Sequence, residues 1–281
     1  MLFIGRVRVN APLIYMALPL LDVQSLSKRF TDRISLFHTQ DFYAVKNVSF
    51  SLNHQETLAV VGANGAGKST LAKMLIGITE PTSGKIFLRD HQLEFGDYQY
   101  RAKKIRMIFQ DPNDAFDPNY NIGQILDSPL KLATNLSEEK RNARIFKTLR
   151  LVGMYPEDAL IHIKDTSSNQ KQRIALARTL ILNPEIIIID DSLNNLDFSL
   201  KSQLTNLMLN LQERLGFAYI YIGQNLGMIK HIADKVIVMD QGEIIEYGTT
   251  KDILLHPQHP ITIRLIESQF GQKLTEDMWA K

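Results

Sequence analysis

Residues 62–69 read Gly62-Ala63-Asn64-Gly65-Ala66-Gly67-Lys68-Ser69 and fit G-x-x-x-x-G-K-[ST] without a mismatch. These residue types suit one task, cradling phosphate oxygens. Gly62, Gly65 and Gly67 tolerate backbone conformations that turn N–H groups inward, and Ala63, Asn64, Ala66 and Thr70 lie on the same turn. Lys68 brings a cation to the terminal phosphates, and Ser69 brings a hydroxyl that ligates Mg²⁺. The loop specifies a nucleoside triphosphate and no more. A second group is Asp190, which closes a run of four isoleucines, Ile186 to Ile189. In enzymes with this loop, an acid at such a strand end orients the Mg²⁺. Many buried strands end in Asp, so the signal comes from coupling Asp190 to the loop.

The flanking sequence supplies the elements that this chemistry needs. Thr57 to Val61 is a short apolar run that reads as a buried strand, and Leu71, Met74, Leu75 and Ile78 follow the loop at helical spacing. A strand before and a helix after confirm the motif, and the helix N-terminus adds its positive dipole end. The isoleucine run reads as a parallel strand buried on both faces.

Composition narrows the class. The chain has 281 residues, a formal net charge of +2 and no cysteine. That length supports a full α/β core of one or two domains. The near-neutral charge argues against a nucleic-acid partner. The absence of cysteine excludes disulfides, thiolate zinc and iron–sulfur ligation. No apolar run is long enough to span a bilayer. Arg6 and Arg8 interrupt the apolar start, so it does not read as a signal peptide. Residues 1–19 read as a tail, disordered or not translated.

In chain order, Leu20 to Ser27 reads as a strand, residues 31–43 as a polar excursion with aromatics, and Val48 to Leu52 as a strand. Pro81 to Gly84 is a turn, and Lys85 to Arg89 and Ile105 to Phe109 are strands. After Gln110 the chain changes character: DPNDAFDPNYN is turn chemistry. Helices then follow over Ile122 to Leu132, from Ser137 as N-cap to Leu151, and over Glu157 to Ile163. Another starts at Ser167-Ser168. The rest alternates: helix Leu200 to Leu215, strand Ala218 to Ile222, helix Leu226 to Ile232, strands Lys235 to Met239 and Glu243 to Tyr247, and helix Ile261 to Phe270. Trp279 reads as frayed.

The order of these features over about residues 20 to 265 resembles the ATP-binding subunits of ABC transporters. The stretches IFQDPNDAFDP and HPQHPITIRLI are similar to the oligopeptide and dipeptide importer branch. Asn206 to Gly248 is similar to the second ATPase subunits of antimicrobial-peptide uptake systems. The resemblance implies an α/β fold with a RecA-like phosphate-loop core, an antiparallel β subdomain and an inserted all-α signature subdomain. It divides the chain into core at 20–110, helical subdomain at 111–169, core again at 170–250 and a C-terminal extension at 251–281. It implies ATP and Mg²⁺ as cofactors, Gln110 as a metal-contacting and coupling glutamine, Asp197 in the D-loop, and Phe30 stacking on adenine, with Phe37 and Tyr43 as rivals.

The resemblance also implies a head-to-tail pair of ATPase chains under two membrane permease subunits, at the cytoplasmic face of the inner membrane. A periplasmic solute-binding protein would be an indirect partner, and nucleic acid none.

Three family motifs are altered. The signature L-S-G-G-Q, which reaches the nucleotide on the partner chain, stands here as Thr166-Ser167-Ser168-Asn169-Gln170, and a plain polar helix cap explains Ser167 and Ser168 equally well. The glutamate expected after Asp190 is Asp191, one methylene shorter. The switch histidine is Gln224, which donates one amide hydrogen bond but carries no charge. Asp191 and Gln224 read either as the catalytic pair or as polar strand-end residues. The expectation is intact nucleotide binding, weak hydrolysis, and a better-equipped heterodimer partner. A binding clamp whose partner hydrolyses ATP is the alternative. The solute (peptide, polyamine or haem) stays open.

Overall fold

The computed structural model describes residues 18–33, 39–109, 116–190 and 198–279. Two sheets organise it. The larger has six strands in the order β10-β9-β3-β8-β7-β6, formed by β3 (Thr57–Val61), β6 (Ile105–Ile108), β7 (Ile186–Asp190), β8 (Ala218–Ile222), β9 (Lys235–Asp240) and β10 (Glu243–Thr249). All neighbours are parallel except the β9–β10 edge. The smaller sheet is antiparallel, in the order β2-β1-β4-β5, with β1 (Leu21–Arg33), β2 (Thr39–Leu52), β4 (Ser83–Leu88) and β5 (His91–Gln92).

The parallel strands are apolar on both faces because each face has its own core. Ile186, Ile188, Leu58, Val60, Ile220 and Met239 point towards the small sheet and α1 (Lys68–Leu75). Ile187, Ile189, Ala59, Val61, Tyr219 and Val238 point the other way, into a second cluster. That cluster also holds residues of α3 (Ile122–Ala133), α4 (Glu138–Leu151), α5 (Ser168–Leu180), α6 (Phe198–Leu215) and α7 (Leu226–Ile232). The inserted helices thus share a core with the sheet. The chain ends in α8 (Thr250–Leu255), α9 (Pro260–Phe270) and α10 (Glu276–Trp279); Leu254, Ile266 and Leu274 are buried in the same cluster.

Several expectations need correction. The expected excursion over 31–43 is strand where it is described, at 31–33 and 39–43: β1 and β2 pair through Thr31↔Asp41 to Arg33↔Thr39. Polar cross-strand pairs hold this end, with Thr31 donating to Asp41 at 2.5 Å and Arg29 in an ion pair with it. α1 stops at Leu75 and the chain turns outward, leaving Ile78 58% exposed. α2 (Tyr98–Lys104) was not foreseen. The helix expected over Glu157 to Ile163 is two 3₁₀ turns, Pro156–Leu160 and Ile163–Asp165. Between them Ile161 accepts from the Ile122 N–H and Ile163 donates to Tyr120, a strand-like bridge that helical backbone would forbid. Trp279 is not frayed; it is half-buried in α10, with the Lys230 ammonium 5.4 Å from its ring centre.

One ion cluster fixes α3 against α4. Asp127 accepts from Arg141 at 2.6 Å and pairs with Lys131 at 2.8 Å. Burial pushes the Asp127 carboxyl up, but the hydrogen bonds and charges of Lys131 and Arg141 outweigh it and hold the group below its ordinary value. A lowered folded value means that this stabilisation is complete above the unfolded carboxylate range and is lost as pH falls through the folded value. Asp127→Asn is expected to cost about 1–2 kcal/mol at neutral pH and nothing in acid. Thermal unfolding of both proteins at neutral and acid pH checks this.

Candidate nucleotide-binding site

The C-terminal ends of β3, β7, β8 and β9 converge on residues 62–69. Two glycines there are fixed by close approach as well as by backbone angle. Gly67 has φ 99°, and a Cβ on it would lie 2.1 Å from the Ala44 carbonyl oxygen of β2. Gly62 has φ 149°, and its Cβ would lie 2.2 Å from the Met239 oxygen of β9. The loop is therefore braced from both sides. Gly242, in the β9–β10 turn, donates to Ala66 at 3.1 Å and accepts from the Lys46 N–H at 2.8 Å.

Lys68 is buried, and its ammonium donates to the Gly62 and Ala63 carbonyls, both at 2.8 Å, so it stands in the mouth of the loop at the N-terminus of α1. Ser69 Oγ lies 3.3 Å from Asp190 Oδ1, so the hydroxyl and the carboxylate read from the sequence are neighbours. Burial raises the Asp190 carboxyl above its ordinary value, opposed by Ser69, Lys68 and Lys73. This pair fits Mg²⁺, which takes hard oxygen donors and typically few from protein, leaving the rest to phosphate and water. Gln224 Nε2 donates to Asn64 Oδ1 at 2.6 Å, which places Gln224 directly beside the phosphate loop.

The signature segment has a local explanation. Ser167 caps α5 through a reciprocal box: its N–H donates to Gln170 Oε1 at 2.9 Å and its Oγ accepts from the Gln170 N–H at 3.3 Å. Ser168 and Asn169 are in the first helical turn, and neither has a positive φ. Asn169 accepts from Arg173 at 3.2 Å. Ser167 and Ser168 are exposed. Phe30 packs against Phe42 with ring centres 5.8 Å apart and is 37% exposed, while Tyr43, beside the Ala44 that covers Gly67, is 47% exposed. Gln110, Asp191, Asp197 and Phe37 lie outside the described residues.

Sequence reasoning missed Gln269. Its Oε1 accepts from the Leu226 N–H at 2.7 Å, and its Nε2 donates to the Gln224 carbonyl. A polar residue on the exposed face of a helix's last turn carries no sequence signal of such a contact.

The ABC transporter family profile matches residues 45–194. The ATP-binding protein SapF of Escherichia coli is 52% identical over 262 residues, covering 93% of this chain and 98% of that protein; it is named for putrescine export in strain K12 and for peptide transport in strain O6:H1. The dipeptide transport ATP-binding protein DppF of Haemophilus influenzae is 40% identical, covering 89% of this chain and 78% of that protein. Among solved structures, cbiO1 from Clostridium perfringens superposes with a TM-score of 0.74 at 23% identity, covering 90% of this chain and 96% of that one. With the loop, its lysine and its strand-end acid assembled on this fold, the chain belongs to the ABC transporter family, as an ATP-binding subunit.

Proposed function

We propose that this chain is an ATP-binding subunit of an inner-membrane importer for peptides, coupling ATP binding and slow hydrolysis to solute movement. The observation that carries the reading is the convergence of Lys68, the Ser69–Asp190 pair and Gln224 on one braced loop. Peptide as solute draws on the names of the SapF and DppF relatives; the putrescine name of another SapF makes a polyamine the competing solute.

The loop amides and Lys68 bind and orient the β- and γ-phosphates. Ser69, Asp190 and Gln110 would hold Mg²⁺, which supplies charge neutralisation at those oxygens. Asp191 orients or deprotonates the attacking water, and the Gln224 amide donates to the γ-phosphate. Phe30 stacks on adenine. Ser167, Ser168, Asn169 and Gln170 face the nucleotide of a second, non-identical ATPase chain, and Asp197 lines the same interface. Gln110 couples the site to the helical subdomain, which docks on two permease subunits. A cavity of about 500 Å³ between α2, β6, α3 and α5, lined by Tyr98, Phe116, Tyr120, Arg106 and Arg178, offers them an amphipathic seat. None of the helices among the described residues is long and apolar enough to cross a membrane; the place of the subunit, peripheral on the cytoplasmic face, follows from the proposed docking on permease subunits.

A second reading, an ATP-holding clamp whose partner hydrolyses, is favoured by the Gln224 amide being engaged by Asn64 and by the lack of charge at that position. The complex, recovered on a tag at this chain, separates the two. Asp191→Asn removes a base and leaves the phosphate cradle. Turnover is expected to fall about 100-fold, the lower end for general-base removal, with ATP binding retained. Unchanged turnover would assign hydrolysis to the partner and make this chain the clamp.

A further inference from the structure

The switch segment is held from outside the nucleotide site, by the C-terminal extension. At the start of α7, the Met228 N–H is served by the Asn225 side chain at 2.9 Å, and the Leu226 N–H by Gln269 Oε1 at 2.7 Å. First-turn N–H groups have no partner within their own helix, so such contacts set where the helix begins. The same Gln269 amide donates through Nε2 to the carbonyl of Gln224. One side chain therefore bridges the residues on both sides of Asn225. The Gln224 side chain then reaches Asn64 in the phosphate loop at 2.6 Å. The path Asn64–Gln224–Gln269 links the loop to α9 through a chain of amides.

α9 is anchored well enough to act as a support. Pro260 occupies its first turn, and His259 Nδ1 caps it by accepting from the Ile261 N–H at 3.2 Å. Glu246 of β10 accepts from the Gln258 and His259 amides just before it. Ile266 is 2% exposed and Thr262 is buried, so the inner face is packed, while Gln269 stands one turn further on. Gly271, at φ 73°, ends the helix two residues beyond Gln269.

We propose that Gln269 is a positioning residue for the nucleotide site: it fixes the backbone of Gln224 and Leu226 so that the Gln224 amide stays directed at the phosphate loop. The proposal rests on the reading of Gln224 as the residue that meets the terminal phosphate. It gives the HPQHPITIRLI segment a task, carrying Gln269 to the switch. It makes the C-terminal extension a support of the nucleotide site.

Two substitutions separate the halves of the contact. Gln269→Ala removes both hydrogen bonds. Gln269→Glu keeps an acceptor for Leu226 but sets a carboxylate oxygen against the Gln224 carbonyl. Amide hydrogen exchange on the full chain, in its complex, is the readout that does not depend on turnover. Leu226 exchange is expected to rise about ten-fold in the Ala variant and to stay near the unsubstituted rate in the Glu variant, with α1 amides unchanged in both. In turnover, both variants are expected to lower kcat about five-fold with KM within two-fold. Neither should lower it further in a Gln224→Ala background, since the two residues act as one unit. Unaltered Leu226 exchange in Gln269→Ala, or losses that add to those of Gln224→Ala, would overturn the proposal. If the unsubstituted complex turns over no ATP at this chain's site, the proposed function fails instead. The exchange pattern then decides the positioning role alone.

Discussion

ATP turnover by the assembled complex is expected to fall about 100- to 1000-fold when Lys68 is replaced by Met, the range seen when one preorganised electrostatic contact to a transition state is lost. The reasoning is geometric. The ammonium stands within 2.8 Å of the Gly62 and Ala63 carbonyls, in a loop whose backbone is held by Ala44 on one side and Met239 on the other. Met preserves the stem and its packing while removing the charge. Folding should survive, so the loss would report chemistry and not collapse. Equilibrium binding of a fluorescent ATP analogue, measured beside turnover, is expected to weaken in parallel. Unchanged turnover, with binding weakened in this chain alone, would show that the partner's site carries the observed hydrolysis.

The second large effect is on stability and comes from Arg101, a residue that the sequence did not single out. It is 2% exposed, and its guanidinium donates to four main-chain carbonyls: Met74 and Leu75 at the end of α1, and Leu93 and Glu94 in the segment after β5. Burial holds its pKa below the ordinary value, with Asp97 and Glu94 opposing. A cation at a helix C-terminus meets the negative dipole end. Here three of the four contacts, to Met74, Leu75 and Leu93, are buried. Arg101→Met fills much of the volume and leaves the Met74 and Glu94 oxygens with the Gly77 and Asp97 N–H groups, but it takes the donor from the buried contacts to Leu75 and Leu93, at an expected cost of about 3–5 kcal/mol. The thermal midpoint should drop by roughly 10 °C. A drop of only one or two degrees would show that the carbonyls find other partners. The effect reaches function through α1, which presents Lys68 and Ser69 at its other end.

The sequence disclosed most where one local interaction decides the structure. Residues 58–61 and 186–189 are apolar and are followed by Gly62 and Asp190, and they lie in the strands Thr57–Val61 and Ile186–Asp190. The phosphate loop is a local code of glycine conformation and helix start, so Lys68 and Ser69 could be placed at once. The outer half of the β1–β2 hairpin was hidden because its pairs, such as Arg29 and Thr31 with Asp41, show no alternation of apolar and polar residues. α2 was hidden because its one buried residue is Arg101, the opposite of an apolar stripe. The contact of Gln224 with Asn64 spans 160 positions and follows from the β3–β8 register, which no local pattern prints. At residues 167–170 the local shape is explained by the cap made by Ser167 and Gln170.

The order of strands in the large sheet has a consequence for how the protein is made. β3, which leads into the phosphate loop, lies between β8 and β9, with Leu58 opposite Ile220 and Lys235. The brace at Gly242 is farther along still. A chain leaving the ribosome at about 5–20 residues per second therefore exposes its phosphate loop for roughly ten seconds or more before the strands that flank it exist. Through that interval Leu58 and Val60 have no sheet partners, and the loop has no Met239 or Gly242 behind it. Nascent chains halted before β9 should neither hold nucleotide nor resist protease. Ligand can stabilise only what it binds, so ATP would act as a late latch on the finished chain rather than as a guide to its folding.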